Sequence, residues 1–452
     1  MRKVLLSFEF DNIVRTMKYS QYNTLIPFEN GNAILYNASS DSFIVLTSGA
    51  TKDIKALTAN ELKANNCALY QKLETAKAIV DDNQDDVVAL KRSIQQRVND
   101  KTVYQLFINP TLDCNFRCWY CYEEHQKGSI MSDNTLCAVK KYIDHVFKEQ
   151  NELQAFHLNF FGGEPLLGYK RIVLPLVNYC KHKCKEHDTQ LQLQFTTNGY
   201  LISEKILADL KECYVDFQIT LDGGKENHDK TRYLNNGKGS FEAITHNIAL
   251  IAHHHKNVCL RINFTADNIQ SVTTIKDFLL GIPNEERGYI NIDFQRVWQD
   301  IDGPKNDNTD EVSSSFIEEF KQLGYQVSSY NTPQSALHLC YGDRLNQVLI
   351  NYDGNVFKCT ARDFIDKNAL GKLSADGIIE WKDEQIKERQ QCKFSHAACY
   401  KCHIAPLCGG GCSQHAYELK DVDKDVCLFN YTDDDKRQKV LNRFEYLFVL
   451  NK

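Results

Sequence analysis

The sequence predicts an α/β protein. Three observations carry that expectation: a strand-then-helix beat repeated six times between residue 104 and about 325, apolar content sufficient for a large core, and cysteines gathered at one strand end and near the C-terminus. The 452 residues are 42% apolar, and that length suggests roughly two to four domains. A net charge of -6 provides no basic field for a phosphate backbone, so nucleic acid is not an expected partner. No apolar run approaches the roughly 18 residues that span a bilayer, so no membrane partner is expected either. The basic start at Met1 leads into a short apolar stretch interrupted by Glu9 and Asp11, with no small-residue cleavage site behind it. The expected location is therefore the cytoplasm. There the 17 cysteines stay reduced, so clustered spacings point to metal or redox chemistry and away from disulfides.

Taken in order, residues 1–100 read as a small α+β module. Short apolar runs beginning at Tyr22, Asn32 and Ser42 are separated by turn-forming residues, and helical patterns follow from Asn60 to about Val80 and from Asp85 to about Val98. Residues 101–325 carry the repeated units. Apolar runs at 104–108, 156–161, 191–197, 215–221, 258–264 and 289–297 precede helical patterns near 132–149, 170–187, 203–212, 240–255, 269–280 and 311–323. Ser132 and Ser203 are placed as helix N-caps. Six right-handed crossovers build either an open doubly wound sheet or an incomplete parallel barrel, and periodicity alone does not choose. In both, chemistry belongs at the C-terminal strand ends. Residues 326–452 form a third, cysteine-rich segment.

The first strand end carries the sharpest signal. Cys114, Cys118 and Cys121 are spaced C-x3-C-x2-C on one loop flanked by Asp113, Asn115 and Arg117. Three thiolates so arranged can hold three corners of a [4Fe–4S] cluster and leave one iron without a protein ligand. The second strand ends in Phe161-Gly162-Gly163-Glu164-Pro165. Paired glycines permit close backbone approach, and a carboxylate at that edge can accept hydrogen bonds from an ammonium group.

At these residues the chain resembles the radical S-adenosylmethionine superfamily. The resemblance covers residue 104 to about 300 and implies a partial (β/α)6 barrel with a [4Fe–4S] cluster on Cys114, Cys118 and Cys121. It further implies S-adenosylmethionine as cofactor, with Gly162, Gly163 and Glu164 at its amino group, Tyr120 near its adenine, and Asn198 at the ribose-side edge. Asp222, His228 and Arg232 follow a Leu-Asp-Gly-x4-His-x3-Arg pattern seen in the branch that matures peptides and proteins, which makes Asp222 and Arg232 candidate catalytic residues; a solvated polar loop is the plainer reading of the same residues.

The C-terminal constellation reads Cys340, Cys359, Cys399-x2-Cys402-x5-Cys408-x3-Cys412 and Cys427. The 399–412 stretch lacks an apolar period, so these cysteines read as metal ligands, with a zinc ribbon a serious rival on spacing alone. The ordered pattern resembles the SPASM extension of radical enzymes, which carries two auxiliary [4Fe–4S] clusters. That resemblance implies an outer cluster on Cys399, Cys402, Cys408 and Cys427 and an inner one on Cys340, Cys359 and Cys412. Seven cysteines leave one ligand short of eight, so either Asp343 or another nearby group completes the inner cluster, or its iron is open to a substrate thiol. Cysteines 67, 137, 180, 184, 213, 259 and 392 lie outside both motifs; Cys180 and Cys184, at i, i+4 on an expected helix with His182 and His187 nearby, read as ordinary packing and not as a metal site, and His253, His254 and His255 as a solvated helix end.

The resemblance implies reductive cleavage of S-adenosylmethionine to a 5′-deoxyadenosyl radical, with electrons from a flavodoxin- or ferredoxin-like donor. It also implies a peptide or protein substrate. The leading expectation is a maturase of ribosomally synthesised precursor peptides, forming a thioether or carbon–carbon crosslink, with the N-terminal module recognising a leader peptide. The runner-up is an anaerobic sulfatase-maturing enzyme that makes formylglycine, disfavoured by the long N-terminal segment, the missing inner-cluster cysteine and Thr360 where that family usually places an Asp. A non-catalytic zinc-binding adaptor is the third.

Overall fold

The structure, a computed structural model, describes residues 16–297, 309–330, 335–421 and 426–448; the chain start with Glu9 and Asp11 lies outside them. Two compact units emerge. One gathers residues 1–97, 333–339 and 391–452, the other residues 98–332 and 340–390.

In the first unit, β1 (Met17–Tyr19) pairs with the later β5 (Ile79–Asp81), while β2 (Asn23–Pro27), β3 (Ala33–Asn37) and β4 (Ser42–Leu46) form an antiparallel meander. The single helix expected over 60–80 is two, Ala59–Asn65 and Cys67–Thr75. Asn66 breaks it with φ -147° and ψ 72°, and its side chain accepts a hydrogen bond from Leu69 N to cap the second helix. An Asn side chain that competes for backbone donors favours a cap over a helix interior. Leu35, Leu46, Leu62 and Leu73 pack the core between sheet and helices. The helix Asp433–Phe448 joins them through Phe444 and Phe448, edge-on to Phe43, and through Arg443, whose guanidinium donates to both carboxylate oxygens of Asp41.

The second unit contains β6 (Val103–Ile108), β7 (Phe116–Cys118), β8 (Ala155–Phe160), β9 (Gln190–Thr196), β10 (Tyr214–Leu221), β11 (Arg232–Leu234), β12 (Asn257–Phe264), β13 (Ile290–Arg296), β14 (Gln326–Ser329), β15 (Gln347–Ile350), β16 (Asn355–Phe357), β17 (Gly371–Leu373) and β18 (Ile379–Trp381). Its main sheet runs β14-β13-β12-β10-β9-β8-β6-β15-β16-β17-β18 and is parallel from β14 to β15. The six expected strands are consecutive parallel neighbours, and the first and last do not pair, which makes a partial (β/α)6 barrel within a larger mixed sheet. The sheet then continues past β6: β15 extends it in parallel, and β16 to β18 continue antiparallel. Ser132 and Ser203 cap the helices Asp133–Glu149 and Glu204–Asp209 as the sequence predicts.

Alternation along these strands decides what the barrel does. On β9, β10 and β12 one side chain in two is fully buried and apolar, including Leu193, Phe195, Phe217, Ile219, Leu260 and Ile262. Phe160, Phe195 and Phe217 stack across adjacent strands at 5.0 and 5.3 Å. The intervening positions are polar, among them Gln194, Thr196, Gln218, Thr220, Arg261 and Asn263, and these line a cavity. Parallel sheets covered on both faces usually read as continuous apolar runs. The alternation here is the mark of a polar lumen.

Candidate functional site

The cavity, about 510 Å³, opens where β6, β8, β9, β10 and β12 end. Cys114, Cys118 and Cys121 lie on its wall. Their loop is held in several ways. Phe116 to Cys118 forms a short strand, β7, antiparallel to β11, which sets Arg232 opposite Cys118. Asp113 accepts from Cys114 N at 2.8 Å and Gly128 N at 2.8 Å. Cys114 Sγ accepts from Phe116 N at 3.4 Å and from Asn198 Nδ2 at 3.9 Å, while Cys121 Sγ lies 3.5 Å from His125 Nε2. Burial raises the thiols of Cys114, Cys118 and Cys121, the last to about 11. Three neighbouring cysteines on one cavity wall, with N–H donors aimed at sulfur, are the donor set an iron–sulfur cluster takes. The donor set fits the cluster.

Gly162 and Gly163 also line the cavity, for a reason the sequence left open. A Cβ on Gly163 would lie 2.2 Å from the Asp113 carbonyl oxygen, and one on Gly162, whose φ is +100°, would lie 2.5 Å from that of Thr111. The close approach these glycines permit is that of the cysteine loop itself. Gly163 N donates to Thr111 O at 3.1 Å and Glu164 N to Asp113 O at 2.8 Å, closing the two strand ends together. Glu164, expected at an amino group, is fully buried and does not line the cavity. Its carboxylate accepts from Leu166 N at 3.0 Å, Thr197 Oγ1 at 2.7 Å and Asn198 N at 2.8 Å, so it braces the third strand end against the second. Burial pushes that carboxyl up despite these donors.

Asp222, His228 and Arg232 form one connected network. His228 Nδ1 accepts from Asp222 N at 3.2 Å, its Nε2 lies 3.0 Å from Ser240 Oγ, and Ser240 Oγ donates to Arg232 O at 2.7 Å. Burial drives His228 well below its ordinary range and keeps it neutral, as an acceptor at Nδ1 requires. Tyr120 is the hub: its hydroxyl donates to Asp222 Oδ1 at 2.9 Å and accepts from Arg232 at 2.9 Å and from Asn263 Nδ2 at 3.3 Å. Burial, opposed by Arg232 and the Tyr120 hydroxyl, pushes Asp222 up to about 6. Asp222 Oδ2 and Arg232 Nε are buried with no partner. Arg232 lines the cavity, so its unpartnered Nε is available to a bound group there, whereas Asp222 stands behind it. The plainer reading of this motif, a solvated loop, does not describe it: Asp222 and His228 are at most 1% exposed.

The C-terminal cysteines fall in both units. Cys399, Cys402, Cys408 and Cys427 lie in the first, where burial and then the other three cysteines raise the Cys399 thiol. Cys340 and Cys359 lie in the second, and both act on Tyr341, which lies between them in sequence and lines the cavity. Ala361 N donates to Cys359 Sγ at 3.3 Å. Cys412 belongs to the first unit, where its Sγ accepts from His415 N at 3.5 Å. Asp343 pairs with Arg389 at 3.5 Å, both side chains almost wholly buried, an ion pair that braces the 341–347 loop. Thr360 Oγ1 lies 2.6 Å from the Tyr341 hydroxyl. None of the 17 cysteines is disulfide-bonded, Cys180 and Cys184 are buried in the core, and His253 and His254 pair with Glu286 and Glu204. Among the described residues, no three His, Cys, Asp or Glu side chains close on a single-ion site, and no helix is long and apolar enough to cross a membrane.

Sequence reasoning missed Asn263, Ser240 and the lumen polar residues; the alternation of β9, β10 and β12 was the available signal. Comparison with known proteins adds the chemistry. Residues 108–279 match the profile of the Radical SAM superfamily. The chain is 22% identical over 390 residues, 77% of its length and 78% of the relative, to the radical SAM cyclopropyl synthase TigE of Paramaledivibacter caminithermalis. It is 23% identical to a cysteine-type anaerobic sulfatase-maturating enzyme of Clostridium novyi, across 70% of this chain and 89% of that one. The fold is shared with Streptococcus suis SuiB bound to its precursor peptide SuiA, at TM-score 0.51 and 14% identity over 91% of this chain and 98% of that one.

Proposed function

Since residues 108–279 form a radical SAM domain, whose superfamily uses a [4Fe–4S] cluster and S-adenosylmethionine, we propose that this enzyme matures a ribosomally synthesised precursor peptide by forming a thioether or carbon–carbon crosslink. Cys114, Cys118 and Cys121 would hold the radical cluster. When bound, the cluster and S-adenosylmethionine supply a carbon radical that abstracts hydrogen. The protein's own residues orient and enclose. Arg232, with Nε unpartnered, offers a guanidinium to the cofactor's carboxylate; Gly162 and Gly163 offer backbone at its amino group; Tyr120 and Asn198 complete the wall; and Asp222 steadies Tyr120 and Arg232. Cys399, Cys402, Cys408 and Cys427 would hold one auxiliary cluster and Cys340 and Cys359 would be ligands of another, a route for the electron a crosslink must lose. A flavodoxin- or ferredoxin-like protein would supply the reducing electron.

The observation that carries a crosslinking outcome is Thr360. It lines the cavity directly after Cys359, where a formylglycine-forming relative would need a carboxylate base, and its hydroxyl is engaged by Tyr341. The N-terminal module supports a peptide partner. Among the described residues β4 pairs only with β3, so its outer edge presents backbone groups to a strand, and Val45 on it is 66% exposed. The C. novyi relative favours the formylglycine reading instead. Incubating reconstituted enzyme and reductant with short peptides encoded beside its gene, and with Cys- and Ser-containing sulfatase peptides, separates the two by product mass and fragmentation. A crosslinked precursor that loses two hydrogens supports the proposal; formylglycine with no crosslink refutes it.

A further inference from the structure

Three guanidiniums, those of Arg232, Arg261 and Arg296, line the cavity, and two carboxylates, Asp216 and Asp293, stand on β10 and β13 of the same barrel. Asp216 accepts from Gln192 Nε2 and Asn257 Nδ2, both at 2.8 Å. Asp293 accepts from Gln295 Nε2 at 2.9 Å and Ser328 Oγ at 2.9 Å. Neutral donors thus satisfy both acids. Arg261, the parallel-register neighbour of Asp293, makes no hydrogen bond or ion pair with any described residue, yet it lines the cavity half-buried. The carboxamide of Gln218, on the neighbouring β10 one side-chain step from the Arg261 level, lines the same cavity and is likewise without a partner among the described residues.

A guanidinium stays charged at any pH the protein meets, and its planar fork matches a carboxylate. Holding it half out of water with no hydrogen-bonded anion is costly, and the Gln218 carboxamide on the adjacent strand adds N–H donors of the right kind. Arg232 is the separate cation at the cluster end, set opposite Cys118 by the β7–β11 pairing, so Arg261 is not needed there. We propose that Arg261, with Gln218, forms a carboxylate-binding subsite in the cavity that holds an acidic side chain of the substrate. The naming of that substrate as a peptide rests on the maturase proposal; the subsite itself does not. It predicts that the modified segment carries an Asp or Glu near the hydrogen that is abstracted.

The test uses the full chain, cluster-loaded and with S-adenosylmethionine bound. N-acetyl-glutamate N-methylamide and its isosteric glutamine analogue serve as probes, and binding is followed by saturation-transfer NMR and calorimetry. The acid should bind about tenfold tighter than the amide, the preference expected of charge-assisted bonds. Arg261→Gln should abolish the preference and Arg261→Lys keep part of it. If Arg261→Gln does not fold, Gln218→Leu should still lessen the preference. Equal binding of the two probes, or none, overturns the proposal. So does an Arg261→Gln variant whose lost affinity is for S-adenosylmethionine instead, since the carboxylate would then be the cofactor's own. An enzyme that keeps the Arg261-dependent preference but modifies no peptide retains the subsite and loses the maturase reading.

Discussion

Replacing Gly163 by Ala should disable the proposed radical site while leaving the fold in place. The added Cβ would lie 2.2 Å from the Asp113 carbonyl oxygen and 2.7 Å from its carbon, where ordinary contact begins at 3.4 Å. About 1.2 Å of movement (3.4 − 2.2) must therefore come from one of the two strand ends. The obstacle cannot swing aside, because it is backbone and Asp113 is tied to Cys114 N, Gly128 N and Glu164 N. Overpacking of this kind costs about 1–3 kcal/mol, which a folded domain of this size survives. Displacing a reacting geometry by about 1 Å costs on the order of a hundredfold in rate. Release of 5′-deoxyadenosine by the anaerobically reconstituted variant should therefore fall about a hundredfold, with the paramagnetic resonance of the radical cluster altered or lost. Gly288→Ala, where a Cβ meets nothing within 4 Å, is the matched control. Wild-type release from Gly163→Ala would refute the claim that the glycine pair exists to admit the cysteine loop.

Three further outcomes follow from the same contacts. Changing Cys114, Cys118 and Cys121 together to Ala should abolish cofactor cleavage yet leave about eight irons per chain in two four-iron clusters, and a total near four would remove one auxiliary cluster from the proposal. Asp343→Ala takes the carboxylate from a buried Arg389 and should destabilise by about 3–5 kcal/mol in denaturant unfolding, with the inner-cluster resonance of the folded fraction unchanged; a changed resonance at unchanged stability would make Asp343 a ligand after all. At Asp41, burial raises the carboxyl, but the Arg443 and Tyr36 hydrogen bonds outweigh it and hold it below its ordinary range. Its stabilising contribution is thus fully present above the unfolded value of about 3.9 and is lost as pH falls through the lower folded value. Asp41→Asn should flatten that acid limb, and coincident limbs in thermal unfolding from pH 5 to 2 would show that the pair contributes nothing.

Much of the site was legible because local chemistry wrote it. C-x3-C-x2-C at Cys114, the Gly162-Gly163-Glu164 turn and the six strand-helix repeats are contiguous patterns whose spacing alone limits what they can do, and Ser132 and Ser203 announced their helices by capping. Less visible were roles set by partners distant in sequence. Whether Glu164 faces a ligand or braces Thr197 and Asn198, and whether Asp343 meets iron or Arg389, depends on segments tens of residues away. The gathering of Tyr120, Asp222, Arg232 and Asn263 around one hydroxyl spans 144 residues (263 − 120 + 1) and required the barrel to curve. The sequence by itself determined the strands, the cysteine loops and the alternation of β9, β10 and β12, since these follow from side-chain type and period. Only the tertiary structure decided which polar groups cancel one another, leaving Asp216 and Asp293 satisfied by amides and a hydroxyl and Arg261 unspent, because hydrogen-bond partners are chosen by distance in space and not by order along the chain.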